Sequence, residues 1–133
     1  MARFPSAEWA RLLEEAVNAN AEYAEAARAW EGDVLLRVVS ADPSTAAEGI
    51  HLDLAHGRCR SAMYVPDSRE SASEFVFEAS ASVWARLFRQ ELDPVRAILS
   101  NEVKLRGNLA KAMRFTRASS LLVATAATIP TEF

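Results

Sequence analysis

The sequence is poor in cysteine, histidine and glycine, the residue types from which many metal, nucleophile and phosphate sites are built. Its 133 residues include one cysteine, two histidines and four glycines. Because Cys59 has no second cysteine, an internal disulfide framework and a multi-cysteine zinc site are excluded, and a reducing compartment is expected. Nucleophile-elbow, Walker and dinucleotide-binding motifs are also missing, so the usual enzyme signatures are absent.

Glycine is too sparse for a phosphate-binding loop, even where a strand pattern runs directly into a helix pattern. In "EVKLRGNLAKAMRF", residues 102–115, only Gly107 is present, and Asn108 follows it. A phosphate loop needs several glycines, or a Gly-Lys-Ser/Thr ending, so that successive N–H groups can bind one anion. The stretch instead predicts a corner of the fold, in which Gly107 turns the chain and Asn108 caps the next helix. Val103 and Leu105 are expected to face the core.

Long apolar segments are missing as well. The longest mainly apolar run, "SSLLVATAATI", is too short to cross a bilayer as a helix. The opening residues "MARFPSAEW" lack the apolar region of a signal peptide. We therefore expect a cytoplasmic protein, and a chain of this length is expected to form one domain, residues 1–133.

The charge of the chain is slightly negative but unevenly distributed. A net charge of −3 and a pI of about 5.4 argue against a general nucleic-acid binder. Residues 102–117, however, carry five cations against Glu102 alone. We interpret these cations either as a solvated face or as groups that contact anionic head groups or a membrane surface. They are Lys104, Arg106, Lys111, Arg114 and Arg117.

Local patterns in the first third of the chain predict two helices followed by a central strand. Ser6 is placed to cap a helix with apolar positions at helical spacing, and "NAN" at 18–20 breaks that helix and caps a second one. Residues 1–30 are therefore predicted to form an N-terminal helical region. The β-branched run "VLLRVV" at 34–39 is typical of a strand that is covered on both faces.

The rest of the chain predicts a hairpin, two further strands and several helices. His56-Gly57 reads as a two-residue turn between strands, and "SEFVFEA" predicts the strand that follows. Asp93-Pro94 is a helix start, and the last segment is expected to be helical. This element order predicts an α+β fold with a five-stranded mixed sheet.

The hairpin register decides whether the histidines and the cysteine form a site. A two-residue turn pairs Ile50, Leu52 and Leu54 with Met63, Ser61 and Cys59, and it pairs Asp53 with Arg60. Cys59 then faces the core, His51 faces the opposite side and His56 lies at the turn. These side chains are not expected to converge, so we predict neither a metal site nor a catalytic site, and no cofactor.

The remaining feature is a set of large apolar side chains on one side of the sheet and on nearby helices. It includes Phe75, Phe77, Trp84, Phe88, Ile98, Met113 and Phe115. Two interpretations stay open from the residues alone: an ordinary filled core, or the lining of a pocket.

The stretch "VWARLFRQELDPVRAILSNEVKLRGNLAKAMRF" resembles the sterol carrier protein 2 family of lipid-binding domains. The resemblance is carried by Trp84, by Leu92-Asp93-Pro94 and by the corner around Gly107-Asn108, while residues 1–30 look like the longer N-terminal helical region of bacterial members. It implies helices on one side of the sheet and a hydrophobic tunnel between the two layers. The tunnel residues that we predict are Phe75, Phe77, Trp84, Leu87, Phe88, Ile98, Leu105, Leu109, Met113 and Phe115.

The resemblance also implies a function. We expect non-catalytic binding, and transfer, of a fatty acid, fatty acyl-CoA, phospholipid or sterol-like molecule, with no nucleic-acid partner. The basic side chains would contact an anionic membrane surface transiently, and the oligomeric state stays open. One alternative is an accessory or dimerisation domain of the same fold that acts with a partner protein. The other is a small isomerase or cyclase.

Overall fold

The computed structural model describes residues 1–133. Its strands are β1 (Ala2–Arg3), β2 (Glu31–Val39), β3 (Gly49–Ala55), β4 (Arg58–Val65), β5 (Phe75–Ser80), β6 (Lys104–Arg106) and β7 (Thr131–Glu132). Its helices are α1 (Ala7–Asn18), α2 (Ala21–Ala26), α3 (Ala81–Phe88), α4 (Pro94–Leu99), α5 (Leu109–Met113) and α6 (Thr116–Ala127). None of the helices is long and apolar enough to cross a lipid bilayer.

The main sheet confirms the predicted five-stranded mixed arrangement. Its strand order is β4-β3-β2-β5-β6, so β2 is the central strand. β2 is antiparallel to β3 and parallel to β5. A second, two-stranded sheet was not predicted: β1 pairs with β7 in parallel and joins the two ends of the chain. A strand of two residues is too short to show an alternating pattern. The two strands also lie at opposite ends of the sequence, so no local pattern predicts that they pair.

Side-chain caps begin four of the helices at the predicted places. Ser6 accepts a hydrogen bond from the N–H of Trp9, and Asn20 caps α2 in the same way. Asp93 precedes Pro94 at the start of α4, and Asn108 accepts from the N–H of Lys111. The "NAN" break and the corner after β6 are thus confirmed as the products of short polar side chains that satisfy free N–H groups.

Gly107 is required at this corner by both its conformation and its surroundings. Its φ is +136°, which side-chain-bearing residues rarely adopt. An added Cβ would lie 2.8 Å from the carbonyl oxygen of Glu74 and 2.8 Å from the ring of Phe75. The glycine therefore allows the chain to turn tightly against β5.

The hairpin confirms the predicted turn and corrects the predicted register. Leu54 pairs with Cys59 as expected, but Leu52 pairs with Ala62 and Ile50 with Tyr64. The reason is a β-bulge, in which Arg60 is the extra residue and every later pair shifts by one. The predicted contact between Asp53 and Arg60 survives as an ion pair of 2.9 Å.

Helix α1 satisfies the backbone groups that the bulge and the sheet edge leave open. The side-chain amide of Asn18 donates to the carbonyl of Cys59 and accepts from its N–H, both at 2.8 Å. One turn earlier, Glu14 accepts from the N–H of Ala62 at 2.9 Å. Because β4 is the edge strand, these bonds occupy groups that strand addition by another chain would use.

The two faces of the sheet are covered differently. On one face, side chains of the central strands join the helices in a core cluster of 26 buried residues. On the other face, the connection between β4 and β5 crosses over β2, where Ser68 is fully buried and bonds the guanidinium of Arg37. Arg37 also forms an ion pair with Glu78 at 2.5 Å. A buried ionic cluster therefore fixes this crossing segment.

Candidate functional site

An apolar cavity of about 80 Å³ lies between the helix-covered face of the sheet and the helices. Of its 17 lining residues, 15 are hydrophobic and none is charged. They are Tyr23, Trp30, Val34, Leu36, Leu54, Phe77, Trp84, Leu87, Pro94, Ile98, Val103, Ala112, Phe115, Ala118, Ser119, Leu122 and Val123. Such a lining suits an apolar ligand.

Strand alternation explains how the sheet supplies its part of the lining. Val34 and Leu36 of β2 border the cavity, whereas Leu35 and Arg37 point to the opposite face. Phe77 pairs with Leu36 in the neighbouring strand and so presents its ring on the same side. The opposite wall comes mainly from α3 and α6, where residues three or four apart share one helical face.

Two of the four side-chain polar groups at the cavity are already bonded within the protein. The indole N–H of Trp30 donates to the carbonyl of Gly32, and that of Trp84 donates to the carbonyl of Arg37, each at 3.0 Å. The hydroxyls of Tyr23 and Ser119 are the remaining side-chain polar groups of the lining. Burial raises the pKa of Tyr23, with a smaller contribution from Cys59, so the phenol stays neutral.

Five of the ten predicted tunnel residues line this cavity. They are Phe77, Trp84, Leu87, Ile98 and Phe115. Four of them lie on β5, α3 and α4, whose residue types and spacings predicted an apolar side, and all five side chains surround the same cavity.

The other five predicted tunnel residues lie outside the lining. Phe75 is fully buried behind Trp30, with ring centres 5.0 Å apart. Phe88 packs against Phe4 and Trp9 in an aromatic cluster. Leu105 and Met113 are partly buried, and Leu109 is 51% exposed. Apolar character and spacing do not separate a cavity wall from the packed core behind it, because both need the same residue types.

Twelve of the 17 lining residues were missing from the sequence-based set, and two groups of them lie far from β5 in the sequence. Tyr23 and Trp30 come from the N-terminal helical region, and Leu122 and Val123 come from α6. The signal was present, since Tyr23 and Trp30 continue the apolar stripe of the first helices and "SSLLVATAATI" is the longest mainly apolar run of the chain. These residues lie far from β5 in the sequence, so the pattern did not show that they border the same cavity as Phe77.

The five predicted head-group residues fall into two kinds. Lys111 bonds Glu74 at 3.1 Å, Arg106 bonds Glu78 at 2.9 Å and Arg117 lies 3.9 Å from Glu22. Lys104 and Arg114 are exposed and have no ion-pair partner. The basic segment is therefore partly neutralised, and two of its cations remain free to meet an anion.

The histidines and the cysteine lie apart, as the predicted orientations imply. Cys59 is 2% exposed, and burial raises its pKa to about 12, so the thiol stays protonated at neutral pH. His51 lies on the opposite face of the sheet, where it hydrogen-bonds Asp33 at 2.9 Å. His56 lies at the turn and bonds the carbonyl of Arg28.

A mixed sheet with helices on one face and an apolar cavity between the layers defines an α+β domain of the lipid-binding class. The model of the SCP-2 sterol transfer family matches residues 10–119, and the chain belongs to this family. The domain of this family is in general a non-catalytic lipid-binding fold. A sequence comparison with curated proteins found no match.

Solved structures place the fold in the same family. A crystal structure of sterol carrier protein 2 is 30% identical, with a TM-score of 0.87 over 93% of this chain and 97% of that one. A solution structure of a conserved protein from Thermus thermophilus, described as possibly a sterol carrier protein, is 28% identical, with a TM-score of 0.87 over 99% and 93%. Sterol carrier protein 2 from Aedes aegypti, in complex with the C16 fatty acid palmitate, is 12% identical, with a TM-score of 0.50 over 85% and 96%.

Proposed function

We propose that the protein binds a lipid non-covalently in this cavity and transfers it without a chemical step. The observation that carries the proposal is the uncharged, almost wholly hydrophobic lining. Burial of apolar ligand surface contributes roughly 25 cal/mol per Å² before ordering costs are subtracted. A fatty acyl chain or another extended apolar group is the kind of ligand that such a lining stabilises. The palmitate in the Aedes aegypti structure supports the same ligand class.

The cavity must widen to hold a whole lipid. Its volume is about 80 Å³, whereas a cavity of about 150 Å³ takes a single benzene molecule. The short helices α4 and α5 contribute Pro94, Ile98 and Ala112 to the lining. We expect these helices to move outward when a chain enters, because each has only one or two turns to hold it in place.

We further propose that residues 94–114, from the start of α4 to the C-cap of α5, contact anionic membrane surfaces. Leu99 and Leu109 expose 70% and 51% of their surface, and the unpaired Lys104 and Arg114 lie in the same segment. Exposed apolar side chains beside free cations suit the boundary between anionic head groups and acyl chains. Since this segment also contributes to the cavity lining, a lipid would have a short path between bilayer and cavity.

Lipid binding predicts that protein purified from cells carries a sub-stoichiometric mixture of lipids. Native mass spectrometry should show adducts, and denaturing extraction should release them. After delipidation, the protein should bind a fluorescent fatty acid, and the binding should saturate as the ligand concentration rises. If several preparations yield no lipid and the delipidated protein binds no fatty acid, the accessory-domain function replaces the carrier function.

Membrane contact predicts slower lipid transfer when the free cations Lys104 and Arg114 are reversed. The double variant Lys104→Glu and Arg114→Glu should slow transfer to anionic vesicles at low salt and weaken its salt dependence, because attraction to the surface is lost. The matched control reverses Arg58 and Arg89, two exposed arginines outside this segment that also have no ion-pair partner, which gives the same change in net charge. Equal slowing in both variants would show a net-charge effect and exclude a specific contact surface.

A further inference from the structure

Tyr23 is a deeply buried polar residue whose hydroxyl makes no hydrogen bond to the protein. Only 2% of the residue is exposed, and it borders the cavity. Its backbone N–H is bonded to Asn20, so only the phenol is left without a partner. The hydroxyl oxygen is not sealed inside packed protein, since the only fully occluded unpaired side-chain oxygen is that of Ser73. A phenol at the boundary of a cavity can both donate and accept.

Of the other polar groups in the lining, only the Ser119 hydroxyl offers comparable chemistry. Both indole N–H groups are engaged by backbone carbonyls. The hydroxyl of Ser119 makes no hydrogen bond in this structure either, but it lies on α6, where a serine can rotate to bond the carbonyl four residues earlier on its own helix. A phenol on a rigid ring has no such local alternative. An unpaired polar group in an apolar environment is costly, so a ligand that bonds it gains more than one that does not.

The lining also restricts the charge of the group that meets Tyr23. None of the 17 lining side chains is charged, and the phenol itself is neutral. A carboxylate or phosphate drawn into this space would lose its hydration without gaining a counter-ion, which is strongly unfavourable. An uncharged oxygen can enter the cavity, because one hydrogen bond to the protein compensates for most of the hydrogen bonding to water that it loses.

We propose that Tyr23 is the polar recognition group of the cavity, and that it selects neutral lipids bearing a hydroxyl or carbonyl oxygen. This inference rests on the proposed function and adds the ligand class to it. The apolar part of the ligand occupies the hydrophobic lining, and its neutral oxygen bonds the Tyr23 hydroxyl inside the protein. Any charged head group stays outside.

The test compares three probes with eight-carbon chains and different ends. Octan-1-ol ends in a neutral hydroxyl, octanoate in a carboxylate and 1-chlorooctane in a group that hardly forms hydrogen bonds. Each displaces a fluorescent fatty acid from the delipidated full chain, and affinities are compared between the parent and Tyr23→Phe. The matched control is Tyr64→Phe, which removes the only other tyrosine hydroxyl, bonded to Glu48 outside the cavity.

Tyr23→Phe should weaken the binding of octan-1-ol about 5- to 10-fold, which is the effect of one hydrogen bond. It should change the affinity for 1-chlorooctane by less than about 2-fold. Tyr64→Phe should change neither affinity, and the parent should bind octan-1-ol more tightly than octanoate. An equal loss for all probes, or no loss for octan-1-ol, would overturn the role of Tyr23 while lipid binding stands. If the parent binds none of the probes and no fluorescent fatty acid, the proposed function and this inference both fail.

A second measurement does not depend on the variant folding. The ¹³Cζ resonances of the two tyrosines can be assigned with Tyr64→Phe, because the chain has only Tyr23 and Tyr64. Saturation with octan-1-ol should shift the Tyr23 resonance, whereas 1-chlorooctane should leave its hydrogen-bond-sensitive shift nearly unchanged. The same shift with both probes would contradict hydrogen-bond recognition.

Discussion

Replacing Arg37 with methionine should lower the free energy of unfolding by about 3 kcal/mol, the lower end of the range for breaking a buried ion pair. Arg37 is 8% exposed and bonds Glu78 at 2.5 Å and the carbonyl of Ser68 at 2.6 Å. Methionine fills similar space but leaves the carboxylate and the carbonyl without this donor. Since Ser68 belongs to the segment that crosses the sheet, its attachment should loosen as well.

The pH dependence of this variant gives a second readout. Burial alone would raise the pKa of Glu78, but hydrogen bonds from Arg106 and Arg37 outweigh it and hold the pKa below its usual range. A lowered pKa in the folded state contributes stability that is present at neutral pH and is lost as the pH falls below about 4.3. The parent should therefore lose more stability on acidification than Arg37→Met.

The control for this prediction is Arg106→Met, which removes the other partner of Glu78. The side chain of Arg106 is 65% exposed, so its ion pair should contribute less than about 1 kcal/mol. Urea unfolding at neutral and acidic pH measures both variants. Similar small losses would show that the buried cluster contributes little to holding the crossing segment.

Most of the fold was predictable because its signals are local. Ser6, Asn20 and Asn108 cap helices through bonds to residues two or three positions away, which any short window of sequence contains. The turn at His56-Gly57 and the strand periods are equally local. The central place of β2 followed from its continuous apolar run.

The missed features depend on contacts between distant parts of the chain. The bulge at Arg60 is stabilised by Asn18, which lies in a different element and has no sequence link to the hairpin. The pairing of Ala2 with Thr131 joins the chain ends. Arg37 looked like an ordinary polar residue in a strand, because the segment that buries it begins some thirty residues later.

The candidate site was predictable only in part, for a different physical reason. Apolar residues of β5, α3 and α4 were correctly expected on the helix-covered side of the sheet, and Phe77 and Trp84 border the cavity. Phe75 shares its strand face with Phe77 but fills the core, since Trp30 covers it. Sequence periodicity shows only which face of the strand a side chain lies on. Whether the ring then borders the cavity or packs in the core depends on the residues that cover it.

Filling the cavity should abolish lipid binding with little effect on the fold. Leu122→Trp places an indole where Leu122 borders open space, so we expect at least a 10-fold loss of affinity for a fluorescent fatty acid. Because the ring enters space rather than packed atoms, the melting temperature of the delipidated protein should change by only a few degrees.

Two matched leucine-to-tryptophan controls separate a cavity from a filled core. Leu109 is 51% exposed and outside the lining, so Leu109→Trp should leave both binding and stability unchanged. Leu13 is 1% exposed in the packed core away from the cavity, so Leu13→Trp should cost about 1–3 kcal/mol through strained rotamers and backbone shifts. If Leu122→Trp loses as much stability as Leu13→Trp, and the parent binds no fatty acid, the space is a filled core and the carrier function is wrong. Retained stability with lost binding would place Leu122 in the wall of a lipid site.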